Sequence, residues 1–310
     1  MSNFMPETFK DILDFIKSKP KQKVAIACAA DEAVLKAAEI AYNEGILDSI
    51  LFGSAAKIKK VAADLKIDAE KFEIVNIEDD KAAAPAAAEA VRNDKAHILM
   101  KGHLSTGAFL KAVLDKEKGL RKSKVLSHVQ VFECPVTNKL KMLSDGGMNL
   151  YPSEEALFHI SENAVRTFSE LCGRAPVVAM VSAYNNAVEN LKSTQYMSKV
   201  AAELTRDTEY GFVNAFGPVT LDVAASKLAA IKRNIKYEGP GDTDVFILPN
   251  IETGNLFGKS LMYFAKAPSA GLIMGAARPI IMLSRADEYS TKLNSMAVGC
   301  MLALRQRKLI

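Results

Sequence analysis

The sequence predicts an α/β protein in which mostly parallel sheets are covered by helices. Short apolar runs alternate with amphipathic stretches along nearly the whole chain, which is typical of consecutive strand and helix units. Residues 245–248 are apolar throughout, as expected for a strand that is buried on both faces. With 310 residues, the chain is long enough for two hydrophobic cores, so we expect two domains.

Strands and helices alternate regularly in the first third of the chain. Asp31 is expected to cap a helix that ends near Asn43, and Pro85 is expected in the first turn of an alanine-rich helix. The predicted strands are residues 23–28, 49–52, 72–75 and 97–100, and the predicted helices are residues 31–43, 56–65, 81–92 and one that starts at Ala108.

The middle of the chain departs from this alternation. Residues 127–132 and 139–143 flank Pro135 and Asn138, which predicts two antiparallel strands joined by a turn. We place the domain crossing here, with residues 1–135 and 287–310 in the first domain and residues 136–286 in the second. Further helices are predicted at residues 154–172, 192–205, 255–265 and 289–304, and further strands at residues 177–182, 211–215 and 245–248 and around Leu272 and Ile281.

Composition excludes several classes of function. Forty basic residues are scattered among 36 acidic ones, so no basic stripe marks a nucleic-acid surface, and the net charge of +4 suits a small anion better. Four separated cysteines form no C-x-x-C pair and have no histidine at metal-ligand spacing, so we expect free thiols and no metal site. With no signal-like or membrane-spanning run, we expect a cytoplasmic protein without a membrane partner.

A polar turn at residues 101–107 follows one predicted strand and precedes a helix. Its sequence, Lys-Gly-His-Leu-Ser-Thr-Gly, offers glycine, hydroxyls and a lysine at a helix N-terminus, where free amides and the helix dipole favour an anion. An ordinary N-cap by Ser105 or Thr106 explains the same residues equally well.

Three more polar turns are predicted near strand ends. Residues 144–149, with two adjacent glycines, permit close approach of a ligand or only a tight turn. Residues 250–255 contain Glu252, which is either catalytic or a solvated loop carboxylate. Residues 283–287 contain Arg285, whose guanidinium is suited to bidentate contact with phosphate.

Six motifs, in the same order along the chain, carry a family resemblance. They are KGHLSTG at residues 101–107, LSHV at residues 126–129, SDGGMN at residues 144–149, GPVTLD at residues 217–222, the run at residues 242–255, and SRAD at residues 284–287 with TKLNS at residues 291–295. Over roughly residues 20–305, the sequence resembles the phosphate acetyl/butyryltransferase family, and its butyryltransferase branch more closely than its acetyl branch.

The resemblance implies transfer of an acyl group between coenzyme A and inorganic phosphate. It also implies a fold like that of the isocitrate and isopropylmalate dehydrogenases, with an active-site cleft between two α/β domains and a C-terminal helix that packs on the first domain. Acyl-CoA and phosphate are then the substrates, no cofactor is bound permanently, and a homodimer or higher homo-oligomer is expected. Because the sequence contains no nucleophile elbow, we expect direct transfer in a ternary complex.

The resemblance assigns roles to residues in both domains. Ser284 is implied to donate a hydrogen bond to the oxyanion or phosphate, and Arg285 to bind phosphate. Asp287, close to both in sequence, is our further candidate for a catalytic residue. The implied phosphate-binding residues are Gly102, His103, Ser105, Thr106 and Lys111. The implied substrate- and CoA-binding residues are Asp145, Asn149, Asn250, Glu252, Gly254 and Asn255.

Two departures from the acetyl branch leave alternatives open. Thr291 occupies the position where that branch has a proposed base for the thiol, so Asp287, Glu288 and Glu252 all remain candidates for that role. Lys111 stands about where that branch has an arginine, which keeps the charge but loses the bidentate geometry.

Other interpretations are weaker. A metal- and nicotinamide-dependent dehydrogenase is disfavoured because the sequence lacks an aspartate cluster and a G-x-G-x-x-G fingerprint. A phosphate acetyltransferase and a catalytically impaired binding homologue remain open. Lys292 could approach phosphate or cover a solvated helix face, and the second interpretation is favoured. We interpret His128 as structural more readily than as an acid-base group, and Cys134 as unreactive because nothing near it in sequence would lower its pKa.

Overall fold

A computed structural model describes residues 4–284 and 286–310. The helices are α1 (Phe9–Ile16), α2 (Glu32–Asn43), α3 (Ala55–Asp64), α4 (Asp80–Arg92), α5 (Thr106–Val113), α6 (Glu154–Cys172), α7 (Lys192–Leu204), α8 (Leu221–Ala225), α9 (Lys227–Lys232), α10 (Ile251–Tyr263) and α11 (Tyr289–Gln306). The strands are β1 (Gln22–Ala27), β2 (Leu47–Gly53), β3 (Glu73–Asn76), β4 (Ile98–Lys101), β5 (Ser127–Glu133), β6 (Leu140–Ser144), β7 (Val177–Val181), β8 (Arg206–Thr208), β9 (Gly211–Val219), β10 (Val245–Ile247), β11 (Ser269–Met274) and β12 (Ile280–Ile281).

The chain divides into two compact units. The first unit contains Phe9–Lys122 and Ser269–Ile310, and the second contains residues 4–8 and Ser123–Pro268. The sequence placed these boundaries later, after residues 135 and 286. They differ because β5 pairs antiparallel with β6, which keeps both strands of the hairpin in the second unit, and because β11 pairs with β12 in the first.

The sheet of the first unit has the strand order β3-β2-β1-β4-β12-β11. Neighbours from β3 to β12 run parallel, and β11 is antiparallel to β12. The register pairs Ala27 with Lys101 and Met100 with Ile281, so β1, β4 and β12 end next to one another. The C-terminal helix α11 packs on α2 and β11 within this unit, in agreement with the packing that the resemblance implied.

The sheet of the second unit has the strand order β5-β6-β10-β7-β9-β8. Strands β6, β10, β7 and β9 run parallel, while β5 and β8 are antiparallel to their neighbours. A core cluster on this sheet includes Phe132, Phe216 and Phe246, with Phe257 of α10 packed against it. The predicted α/β class and the predicted hairpin are therefore confirmed.

Helices α4 and α10 begin earlier than predicted. Helix α4 begins at Asp80 because the Asp79 side chain accepts a hydrogen bond from the Lys81 amide, so Pro85 is its sixth residue and does not lie in the first turn. Helix α10 begins at Ile251 because Asn250 caps it. The predicted polar turn at residues 250–255 is consequently the first part of a helix. Within the described ranges, no helix combines the length and the apolar character needed to cross a bilayer.

Candidate functional site

The loop after β4 packs tightly against the end of β1 in the first unit. The Gly102 amide donates to the Ala27 carbonyl at 2.8 Å, and the His103 amide donates to the Cys28 carbonyl at 2.7 Å. A Cβ on Gly102 would lie only 2.3 Å from the Cys28 carbonyl oxygen. Glycine is therefore required at position 102 by this backbone-to-backbone approach.

The same loop presents a helix N-terminus. Ser105 is the N-cap of α5, and its hydroxyl accepts a hydrogen bond from the Ala108 amide at 3.2 Å. The capping interpretation of this turn is thus confirmed, but capping does not consume the first amides of α5, which have no partner within the helix. The side chains of Ser105 and Thr106 are exposed beside these amides, and Lys111 is exposed in the last turn of α5. The loop can therefore accept an anion.

Asp31 faces this loop from the end of β1. One carboxylate oxygen caps α2 by accepting from the Val34 amide at 2.9 Å. The other lies 3.8 Å from Nδ1 of His103, whose side chain is 59% exposed. Cys28, between the strand and the cap, is no reactive thiol, because burial and the charge of Asp80 raise its pKa to about 11.

A short turn follows β12, next to the loop after β4. The Ser284 amide donates to the Asp287 carboxylate at 2.9 Å, and the Asp287 amide donates to the Ser284 carbonyl at 3.2 Å. Asp287 is buried, whereas Ser284 is exposed and its hydroxyl accepts a hydrogen bond from the Ala286 amide at 3.4 Å. Arg285, the predicted phosphate ligand, lies outside the described residues.

Lys292 lies under this turn, in the first turn of α11. Its side chain is 4% exposed, so the prediction that it covers a solvated face is wrong. Nζ donates to the Asp287 carbonyl at 2.7 Å. Burial lowers the pKa of Lys292, and the charges of Asp31 and Asp287 oppose that shift.

In the second unit, Asp145 organises the loop after β6. Its carboxylate accepts hydrogen bonds from the amides of Gly147, Met148 and Asn149 at 2.7–3.3 Å, and from the Asn149 side chain. The Asn149 amide group also donates to the Leu126 carbonyl at 2.9 Å. Both predicted residues are thus engaged in shaping the loop itself.

This loop packs directly on the first turn of α10. A Cβ on Gly254 would lie 2.1 Å from the Asp145 carbonyl oxygen, and one on Gly146 would lie 2.9 Å from the Gly254 backbone. The Asn255 side chain donates to the Gly146 carbonyl at 3.2 Å. The predicted residues of the two segments therefore meet, and glycines allow the contact.

The remaining predicted residues of α10 have different surroundings. The Asn250 side-chain oxygen accepts from the Thr253 amide and hydroxyl, both at 2.9 Å. Glu252 is exposed and accepts a hydrogen bond from the Tyr151 hydroxyl at 2.9 Å, which raises the pKa of that phenol. This contact gives the exposed carboxylate a hydrogen-bond partner within the same unit.

A cavity of about 400 Å³ opens beside Asn250 at the carboxyl ends of β7 and β10. Ligands bind at this edge in open α/β sheets. Most of its walls are apolar, and a few hydroxyl and amide groups interrupt them. The lining residues are Val181, Ser182, Ala183, Leu191, Ser193, Leu221, Leu248, Pro249, Asn250, Thr253 and Phe257.

The pKa of Cys134 is lowered, although the sequence suggested nothing that would lower it. Burial raises the pKa of its thiol, but hydrogen bonds from the Thr137 side chain and the amides of Val136 and Thr137, together with the charge of Lys141, outweigh burial and lower it. Lys141, seven residues away, lies on the opposite strand of the hairpin, which the spacing in sequence did not reveal.

The structure thus groups the predicted residues into two sets. Gly102, His103, Ser105, Thr106, Ser284 and Asp287 lie at the carboxyl edge of the first sheet. Asp145, Asn149, Asn250, Gly254 and Asn255 lie at the corresponding edge of the second. Asp31, predicted as a helix cap, contacts His103 of the first set, and Lys292 contacts Asp287 of the same set. Over the described part of the chain, no cluster of three or more His, Cys, Asp or Glu side chains could hold a metal ion.

Comparison with known proteins identifies the family. The family model Phosphate acetyl/butaryl transferase matches residues 8–86 and 81–300. The phosphate butyryltransferase of Clostridium acetobutylicum is 37% identical over 302 residues, covering 96% of this chain and 99% of that protein. The crystal structure of a branched-chain phosphotransacylase from Enterococcus faecalis V583 is 30% identical with a TM-score of 0.80, covering 92% of this chain and 98% of that one.

A more distant structure supports the fold alone. The 4-hydroxythreonine-4-phosphate dehydrogenase from Burkholderia phymatum is 14% identical with a TM-score of 0.56, covering 91% of this chain and 98% of that one. This likeness agrees with the dehydrogenase-like fold that the resemblance implied. Because the family match runs from residue 8 to residue 300, and a full-length relative is more than one-third identical, this chain belongs to the phosphate acetyl/butaryl transferase family.

Proposed function

We propose that this enzyme is a phosphate butyryltransferase, which moves a short-chain acyl group between coenzyme A and inorganic phosphate. The main support is that the Ser284–Asp287 turn follows β12 and the loop at residues 102–106 follows β4, and that β12 and β4 are neighbouring parallel strands. The two segments are therefore adjacent in a chain that belongs to this family. Butyryl is favoured over acetyl because the motifs follow the butyryltransferase branch and the relative from Clostridium acetobutylicum carries that name.

The proposed reaction is a direct transfer. A phosphate oxygen attacks the thioester carbonyl carbon, a tetrahedral oxyanion forms, and the carbon–sulfur bond breaks to release the thiolate of coenzyme A, which takes up a proton. Hydrogen-bond donors aimed at the oxyanion lower the energy of this intermediate. The exposed Ser284 hydroxyl is the proposed donor, and Arg285 and the amides at the start of α5 are the proposed phosphate ligands.

Asp287 has a supporting role in this proposal. Its buried carboxylate accepts a hydrogen bond from the Ser284 backbone amide, which holds the main chain of the turn that carries Ser284. Lys111 is exposed in the last turn of α5 and supplies positive charge for the incoming phosphate.

The second unit is the proposed binding region for acyl-CoA. The loop held by Asp145 and the start of α10 form a rigid edge, and the apolar cavity beside Asn250 suits the apolar part of the substrate. Selection among acyl chains in such a pocket amounts to only about 1–3 kcal/mol per methylene group. We therefore expect a preference for butyryl-CoA with measurable turnover of its neighbours.

The test is steady-state kinetics with acetyl-, propionyl-, butyryl- and isobutyryl-CoA, with phosphate as co-substrate and release of free thiol as the readout. The expected result is thiol release that requires phosphate and has its highest kcat/KM with butyryl-CoA. Highest kcat/KM with acetyl-CoA would identify the alternative, a phosphate acetyltransferase. Absence of phosphate-dependent thiol release with all four would contradict the proposed function and favour a binding homologue.

Direct transfer has a separate test. The protein is incubated with butyryl phosphate and labelled phosphate in the complete absence of coenzyme A. We expect no exchange of label into butyryl phosphate, because the proposed reaction passes through no acyl-enzyme. Exchange under these conditions would require a covalent intermediate and would exclude direct transfer.

Assembly and location complete the proposal. Exposed apolar side chains on the second unit, Phe212 at 58%, Leu228 at 60% and Ile231 at 66%, support a homodimer or higher homo-oligomer. All four cysteines are free thiols, which supports a reducing compartment such as the cytoplasm. Light scattering after size exclusion would measure the oligomer directly, and a monomeric mass would contradict it.

A further inference from the structure

Phe257 of α10 is the aromatic side chain in the wall of the cavity beside Asn250. Asn250, Thr253 and Phe257 all line this cavity, and their spacing of three and four residues places them on one face of the helix. The Asn250 side-chain oxygen is already bonded to the amide and the hydroxyl of Thr253. Phe257 is therefore the apolar member of this face, and the proposed reaction gives it no role.

The walls of this cavity differ in burial. Val181 and Leu248 are 5% and 2% exposed, and both belong to the hydrophobic core cluster of the second sheet, against which Phe257 packs. Ala183 and Thr253, by contrast, are exposed. The cavity therefore has a deep end, formed by Val181, Leu248 and Phe257, and an exposed mouth. An apolar group is stabilised most when it is buried at the deep end.

Phe257 also contacts two buried aromatic rings of the core. Its ring centroid lies 5.8 Å from that of Phe246 and 6.4 Å from that of Phe132, in edge-to-face geometry in both cases. Phe246 and Phe132 are 4% and 2% exposed. Because protein cores are close-packed, the Phe257 ring cannot shift toward these two rings to make room for a longer ligand. Phe257 thus limits the cavity on the side of the core.

We propose that the deep end takes the acyl chain of acyl-CoA and that Phe257 determines the chain length that the enzyme accepts. This inference rests on the proposed function and adds the side chain that selects among its substrates. The cavity volume of about 400 Å³ exceeds what a four-carbon chain fills, so the mouth takes the adjoining pantetheine arm of coenzyme A. The amide groups of that arm suit the hydroxyl groups among the lining residues.

The test is the ratio of kcat/KM for hexanoyl-CoA to kcat/KM for butyryl-CoA, with phosphate as co-substrate. Both values come from one preparation, so the ratio does not depend on the fraction of folded protein. One methylene group in a hydrophobic pocket changes discrimination about 10–200-fold. Phe257→Leu removes part of the wall, and we expect it to raise the ratio at least fivefold. The matched control is Leu256→Ala on the same helix, where the side chain is 70% exposed, and its ratio should stay within twofold of wild type.

Other roles for Phe257 give a different pattern. If the cavity takes only the pantetheine arm, or if Phe257 acts only through core packing, Phe257→Leu changes kcat/KM for both substrates by the same factor, and the unchanged ratio overturns the proposal. If Phe257→Leu does not fold, Val181→Ile decides, because its added carbon narrows the deep end and should lower the ratio at least threefold. An unchanged ratio in Val181→Ile overturns the proposal as well. Wild-type protein that is inactive with both substrates would instead count against the proposed function.

Discussion

Replacement of Gly102 by alanine tests whether contact with the end of β1 fixes the loop after β4. The added Cβ would lie 2.3 Å from the Cys28 carbonyl oxygen and 2.7 Å from that of Ala27. Ordinary contacts of a Cβ atom begin near 3.4 Å. Backbone atoms surround the site and cannot rotate away, so the loop itself must move by about 1 Å.

The size of the effect follows from the contacts that this movement disturbs. Overpacking of a tight site costs about 1–3 kcal/mol. The movement also stretches two hydrogen bonds, from the Gly102 amide to the Ala27 carbonyl at 2.8 Å and from the His103 amide to the Cys28 carbonyl at 2.7 Å. Each of them contributes about 1 kcal/mol to stability. We expect the free energy of unfolding to fall by about 2–4 kcal/mol and the KM for phosphate to rise.

The assay is urea unfolding followed by circular dichroism, with Gly107→Ala as the matched control. No atom lies within 4 Å of a Cβ at position 107, and the residue is part of α5, so alanine there should leave stability unchanged or raise it by up to about 1 kcal/mol. If Gly102→Ala unfolds within about 0.5 kcal/mol of wild type, the contact is not restrictive and the reasoning is refuted.

Three further predictions follow from other contacts. Gly254→Ala places a Cβ 2.1 Å from the Asp145 carbonyl oxygen and should lower the free energy of unfolding by about 1–3 kcal/mol in urea titrations; an unchanged midpoint would contradict the packing. Ser284→Ala should lower kcat by about 10²–10³-fold in the thiol-release assay, and a loss below threefold would remove Ser284 from the proposed mechanism. The pKa of Cys134 is lowered, while those of Cys28 and Cys300 are raised to about 11 and about 12, so Cys134 carries more thiolate at pH 8 than these two. Iodoacetamide should label Cys134 before Cys28 and Cys300 by mass spectrometry, and earlier labelling of Cys28 or Cys300 would count against this assignment.

The sequence predicted the fold well wherever local pattern determines the structure. Helix α6 spans the predicted residues 154–172 because Ser153 caps it and Gly173, in the left-handed conformation, ends it. The hairpin of β5 and β6 followed from two apolar runs around a turn at Asn138, which has a positive φ of 53°. Local chemistry at these positions agrees with the tertiary structure.

Predictions failed where distant contacts decide the outcome. The start of α10 was placed at residue 255 because residues 250–254 are mostly polar and contain glycine, but Gly254 is needed for contact with Asp145, which is more than 100 residues earlier in sequence. For Lys292 a solvated face was favoured over approach to phosphate because lysine usually lies at the surface, and only the structure shows that its side chain is buried and donates to the Asp287 carbonyl. Pairings of this kind carry no signal in the spacing of a single sequence.

The central claim, acyl transfer to phosphate, is tested most directly by the stoichiometry of the products. Purified protein would be incubated with butyryl-CoA and labelled phosphate, and free coenzyme A and labelled butyryl phosphate would be quantified together. We expect both products to form in equal amounts and neither to form when phosphate is omitted. Release of coenzyme A without labelled acyl phosphate would indicate thioester hydrolysis and would exclude acyl transfer to phosphate.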